Sequence, residues 1–220
     1  LIEQLYGSLP AAPEPTRRVV APAKLDRVVR ASMIDRVQNP MVVMCWHAPK
    51  GYADGTAELD LLAEVLTSGN DSRLHRRLVE KERVATEVSA DYDGLALGGL
   101  FTITVLGVPG VDLGHLEALV DEELARVKKD GVAAAELERR KTGREVGTLS
   151  QLQSVARKAD LLNHYEFVWG EPNSFARDLQ RYRAVTPEQV KAIAESVLLP
   201  GARAIVQVVP SEAEREKTAR

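Results

Sequence analysis

Between Leu66 and Ala90 the chain changes its structural period repeatedly, and few folds accept that order. Just before it, Leu59, Leu62, Ala63 and Leu66 fall at i, i+3, i+4 and i+7, the stripe of an amphipathic helix. Gly69 is placed to stop that helix, because glycine takes the left-handed conformation favoured at helix ends. Asp71 or Ser72 can cap a second, short helix on which Leu74 and Leu78 share a face. Residues 84–92 then read as a strand, and 98–107 as its hairpin partner around a turn at Asp93-Gly94. In that partner Phe101, Ile103 and Val105 alternate with Thr102 and Thr104, so its two faces differ.

The flanking segments extend the pattern. Leu1 to Tyr6 reads as the end of a helix stopped at Gly7. Pro10, Pro13, Pro15 and Pro22 mark 8–24 as an extended linker. Residues 27–32 and 41–47 read as strands. The nearly continuous apolar run Met41 to Trp46 predicts a central strand covered on both faces. Leu113, Leu116, Val120, Leu124 and Val127 form a helical stripe ending at Asp130-Gly131. A long helical region follows over 133–168, with a possible kink at Gly147 and an apolar face at Leu149, Leu152, Val155, Ala156, Ala159 and Leu162. Phe175, Leu179 and Tyr182 define a short helix. Thr186-Pro187-Glu188-Gln189 carries a capping Thr, Pro at the first helical position and Gln three after the cap. Residues 204–209 close the chain as a strand, and 211–220 read as a frayed tail. Strands, helices, a hairpin, more helices and a last strand do not alternate regularly. The order predicts an α+β fold in a single domain.

Composition removes several functions. Hydrophobic content of 45% supplies a core without metal or disulfide. The net charge is −3 and the basic residues are scattered, which disfavours nucleic acid as a partner. No apolar run reaches membrane-span length. Cys45 is the single cysteine and sits in an apolar strand, where a thiol acts as a small hydrophobe. His47, His75, His115 and His164 lie 28, 40 and 49 residues apart, so none forms the i, i+4 pair that binds zinc on a helix. His75 and Glu80, five apart, point in different directions on an α-helix. No Gly-x-Ser-x-Gly is present, and Gly107 to Val111 lacks the glycine spacing of a phosphate loop. Asp121-Glu122-Glu123 reads as a solvated helix face. Neither catalytic residues nor metal ligands are assigned in this chain.

Taken in order, Tyr6-Gly7-Ser8-Leu9-Pro10, the Gly69–Ala90 segment, Glu136 to Lys141 and Val185 to Val190 resemble the insulinase/pitrilysin family of zinc peptidases. The resemblance implies an antiparallel-rich mixed sheet with helices packed on one face, as in a mitochondrial-processing-peptidase half. It further implies the noncatalytic half of a bacterial zinc metallopeptidase, cut from a longer chain. The catalytic half, in the same or another chain, would carry the zinc, and the two would close around an unfolded peptide substrate. A missing preceding strand would leave a sheet edge open to self-association, and the location would be the periplasm. Many members place a substrate-contacting Arg and Tyr seven residues apart in this half. The matching positions here are Val79 and Thr86: one can only pack, the other can donate one hydrogen bond. A scaffold of the same fold without proteolysis is the alternative, and a stand-alone small-molecule enzyme a third.

Overall fold

The computed structural model describes residues 1–10, 12–13, 16, 21 and 24–214. Most of the expected linker and the last six residues of the tail lie outside the described residues. The strands are β1 (Val29–Asp35), β2 (Met41–Ala48), β3 (Ala85–Gly94), β4 (Gly99–Gly107) and β5 (Ala204–Pro210). They form one sheet in the order β1-β5-β2-β4-β3, in which only the β1–β5 pair is parallel.

The helices are α1 (Ile2–Tyr6), α2 (Thr56–Thr67), α3 (Leu113–Asp130), α4 (Ala134–Gln151), α5 (Val155–Trp169), α6 (Phe175–Ala184) and α7 (Pro187–Val197). A π-helical segment, His75–Lys81, follows α2. The core lies between one face of the sheet and the helices. Val42, Met44 and Trp46 of β2 meet Phe101, Ile103 and Val105 of β4 there, with Leu59, Leu62 and Leu66 of α2 and Leu116, Val120 and Val127 of α3. Gly131 ends α3 at φ +75°, as the Asp-Gly pair predicted, and Thr186 and Gln189 form the expected capping box of α7.

Several expectations change. The apolar run of β2 is covered on one face only: Val42, Met44 and Trp46 are buried, whereas Met41, Val43 and Cys45 are half-exposed. Sequence hydrophobicity reports both faces, and strand alternation separates them. The hairpin turns at Leu95–Gly98, where the Leu95 amide donates to the Gly98 carbonyl at 2.8 Å, rather than at Asp93-Gly94. Gly94 remains in the strand because Gly51 crosses it so closely that a Cβ on Gly51 would lie 2.8 Å from its carbonyl oxygen. Neither Asp71 nor Ser72 caps the helix after it: Asp71 pairs with Arg139 and Arg140, and the buried Ser72 hydroxyl donates to the Gly69 carbonyl. His75 Nδ1 and Glu80 Oε1 come within 3.9 Å, because the wider π turn brings i and i+5 together.

The long helix breaks at residues 152–154, not at Gly147, and the Ser154 hydroxyl accepts from the Arg157 amide to start α5. Its supposed core stripe is largely exposed at Leu149, Val155, Ala156, Ala159 and Leu162. What fastens α5 is its aromatic end. Tyr165 stacks on Trp169 at 5.4 Å and donates to Asp178 of α6, while Tyr52 packs edge-on against Trp169.

The acidic cluster of α3 is not a solvated face. Asp121 and the buried Glu117 hold Arg203, whose side chain is 4% exposed, and Glu117 also takes Arg30 through two bonds of 2.7 and 2.8 Å. The Arg203 guanidinium lies 5.6 Å from the centre of the Trp46 ring. This network ties the start of β5 to α3. A second one joins α2, α4 and α6: Arg144 pairs with Asp60 and Glu64, and Tyr182 donates to Asp60. Burial raises the Asp60 and Glu64 carboxyls above their ordinary range, against the pull of Arg144.

Candidate functional site

The sheet face opposite the helices is the largest feature the core does not use. Its rows follow from the register. Val43 stands beside Thr104 of β4 and Val206 of β5, and Cys45 beside Thr102 and Ala204. Ala31 and Val29 of β1 continue these rows at one edge, while Ser89 and Asp91 of β3 continue them at the other. The face is therefore apolar at its centre and acidic along β3, where Glu87, Asp91 and Asp93 are exposed. Cys45 is not the buried residue expected: its thiol is half-exposed on this face and accepts from the Thr102 hydroxyl at 3.5 Å.

At one end the face opens into a cleft of about 340 Å³ between Val37, Gln38, Asn39, Met41, Leu106 and Val208. Thr86 borders it. A register shift between Ala85 and Glu87 leaves Thr86 outside the β3–β4 ladder. Its exposed hydroxyl donates to the Leu106 carbonyl at 3.2 Å and accepts from the Asn39 side-chain amide at 3.4 Å. Val79 is elsewhere, on the π-helical segment, half-buried against the core. The structure thus sets one of the two predicted positions at the cleft and the other in the packing beneath the π turn. Val37, Gln38 and Asn39 escaped the sequence reading. Asn39-Pro40 is a turn-type pair, but nothing in one strand's pattern shows that its turn closes over another strand's bulge.

His47 and His115 are exposed, and His164 bonds Tyr52 at 2.5 Å. Among the described residues no group of three His, Cys, Asp or Glu side chains could hold a metal ion. No described helix is long and apolar enough to cross a membrane.

A family model described as the Peptidase M16 inactive domain matches residues 1–144. The chain belongs to the M16 peptidase family. An uncharacterized zinc protease of Streptomyces coelicolor is 27% identical over 193 residues, covering 86% of this chain and 42% of the relative. A protease structure from Helicobacter pylori superposes with a TM-score of 0.83 at 21% identity, covering 94% of this chain and 50% of that one. An M16 inactive domain from Pseudomonas fluorescens gives 0.75 at 21% identity, covering 94% of this chain and 49% of the other. At such identity the structures show a shared fold. This M16 domain thus spans about half the length of the proteins it matches. The residues described here do not fit the zinc for which such relatives are named.

Proposed function

We propose that this domain is the noncatalytic wall of a bacterial zinc metallopeptidase chamber that receives unfolded peptides. The observation that carries the reading is a sheet sealed by helices on one face and left open, apolar at its centre, on the other. The family match to an inactive domain supports it. The zinc and the hydrolytic residues would sit in a catalytic half that closes over the open face. All seven residues of β1 are exposed, so its edge can pair with an extended peptide or with another copy through main-chain bonds. Thr86, at the cleft, would offer the substrate one hydroxyl, while Val79 would contribute packing alone. The compartment proposed is the periplasm.

The test uses the protease with both halves present. Val43→Lys and Thr104→Lys place charges on paired positions of the open face. Hydrolysis of an unfolded peptide should fall at least ~tenfold, with zinc content and melting temperature retained, because an unpaired charge costs several kcal/mol to desolvate under substrate. Unchanged hydrolysis in both variants would show that peptide never meets this face.

A further inference from the structure

Two of the three methionines of this chain stand in one row of the open face. Met41 of β2 is paired with Val208 of β5, and Val208 with Met33 of β1, so two thioethers flank one valine. Leu106 of β4 continues the row on the other side of Met41. Met33 is 49% exposed at the sheet edge, and Met41 is half-exposed and lines the cleft of about 340 Å³. Met44 points the other way, into the core beneath the helices, and has no exposure. Oxidation of a thioether follows its exposure, so the fold divides the three methionines into two that an oxidant reaches and one that it does not.

The surroundings of Met41 make its oxidation consequential. None of the six residues that line the cleft is charged, and four of them are Val, Met or Leu. The Thr86 hydroxyl at its border spends its proton on the Leu106 carbonyl, and the Asn39 amide donates to Thr86. The cleft thus offers a peptide mainly apolar contact. A sulfoxide turns a flexible apolar side chain into a polar one. Its new oxygen is an acceptor, and the side-chain donors lining the same cleft are the amides of Gln38 and Asn39. The oxygen either takes one of these, which rearranges the cleft, or lies bare beneath the apolar group that covers it. An acceptor buried without a partner costs binding.

We propose that Met41 is a modification site at which a peroxide-class oxidant switches off peptide seating on the open face. With hydrogen peroxide the step moves one oxygen atom. The thioether sulfur attacks a peroxide oxygen and the O–O bond breaks. The transferred oxygen gives its proton to the departing hydroxide, which leaves as water; the sulfur is oxidised by two electrons and the peroxide reduced by two. A methionine sulfoxide reductase restores the thioether. The switch rests on the chamber reading, whereas the oxidation itself does not.

The experiment first treats the 220-residue chain with hydrogen peroxide and follows its methionines by peptide mass spectrometry. Met33 and Met41 should gain oxygen while the protein stays folded, and Met44 should not. The protease with both halves is then treated in the same way and assayed on an unfolded peptide, each variant against its own untreated rate. Hydrolysis should fall by roughly fivefold or more, the effect of one unmatched buried acceptor. Methionine sulfoxide reductase should restore it, and a thiol reductant, which would reverse oxidation of Cys45, should not. Met41→Leu, a swap of similar volume, should keep its own rate through the treatment, whereas Met33→Leu should still lose it. Oxidation of Met41 no faster than that of Met44, or an equal loss of rate in Met41→Leu, would overturn the proposal. So would an unchanged rate after complete oxidation of Met41 in a protease that Val43→Lys disables; if Val43→Lys is silent as well, the chamber reading falls and the switch falls with it.

Discussion

Along β2, Val42, Met44 and Trp46 are sealed under the helices, while Met41, Val43 and Cys45 are half-exposed on the other side of the same strand. The buried side is fixed by jigsaw packing and by an ion network at its margin. The open side has rows of Val, Thr and Ala that stay half-exposed. Six consecutive apolar or sulfur-bearing residues thus do two jobs, and only the register with β4 and β5 says which residue does which. Folding energy resides on one face, and the surface available to a partner resides on the other.

The largest effect should come from the margin of the packed face. Arg203 is nearly inaccessible and bonded to both Glu117 and Asp121. Arg203→Ala would leave Glu117 buried with only the half-exposed Arg30 for company. Breaking such a pair costs about 3–5 kcal/mol. Urea denaturation should show a loss in that range. A loss below about 1 kcal/mol would mean that the network decorates the fold rather than closing it.

A pair of neighbours sharpens the contrast. Met44→Ala removes a side chain with no exposure and should cost about 2–5 kcal/mol, transfer plus cavity. Val43→Ala, one residue earlier, should cost about 1 kcal/mol or less. Peptidase activity of the assembled enzyme should respond in the opposite order, once stability is matched by temperature. Equal costs at both positions would erase the distinction between the faces.

The element types were legible because each is written locally. The capping Thr186 with Gln189, the glycine at 131 and the i, i+3, i+4 stripes of α2 and α3 all act within one or two turns. What sequence misread was set at long range. Leu149, Val155 and Leu162 have helical spacing, but no described element comes to cover them. The acidic run of α3 looked solvated because the arginines that pair with it from other elements, Arg73, Arg77 and Arg203, lie 45 or more positions from their partners in the sequence. The π-helical turn has the composition of an α-helix, so its consequence, Glu80 beside His75, was unreadable. Of the two candidate positions, Thr86 lies at a cleft only because a β-bulge frees it from the ladder.

Acid should separate the two ion networks. The Arg30 hydrogen bonds, and then the charges of Arg30 and Arg203, hold the Glu117 carboxyl below its ordinary value of 4.5. A depressed carboxyl stabilises the fold fully above its unfolded pKa, and the contribution disappears as pH falls through the folded pKa. Asp60 and Glu64 work in the opposite sense: burial raises them, so protonation in acid relieves a cost. Stability should therefore decline below about pH 4.5 in a Glu117-dependent manner. In Glu117→Gln the decline should be shallower, measured by urea midpoints between pH 6 and 3. An identical slope in that variant would move the acid-sensitive group elsewhere.

The smallest effect belongs to Thr86, and it bears directly on the open face. Its hydroxyl already spends its proton on the Leu106 carbonyl and accepts from Asn39. Substrate would therefore meet an acceptor lone pair or displace one of these bonds, and neither offers more than one neutral hydrogen bond. Thr86→Ala in the assembled protease should lower kcat/KM by less than ~tenfold, matching the 0.5–1.5 kcal/mol that such a bond contributes. Asn39→Ala, which leaves the Leu106 bond in place, should do no more. If instead Thr86→Ala cost several orders of magnitude while the protein stayed folded, the hydroxyl would be acting on the reaction itself. The division between a packed face that carries stability and an open face proposed only to receive substrate would then fail at that residue.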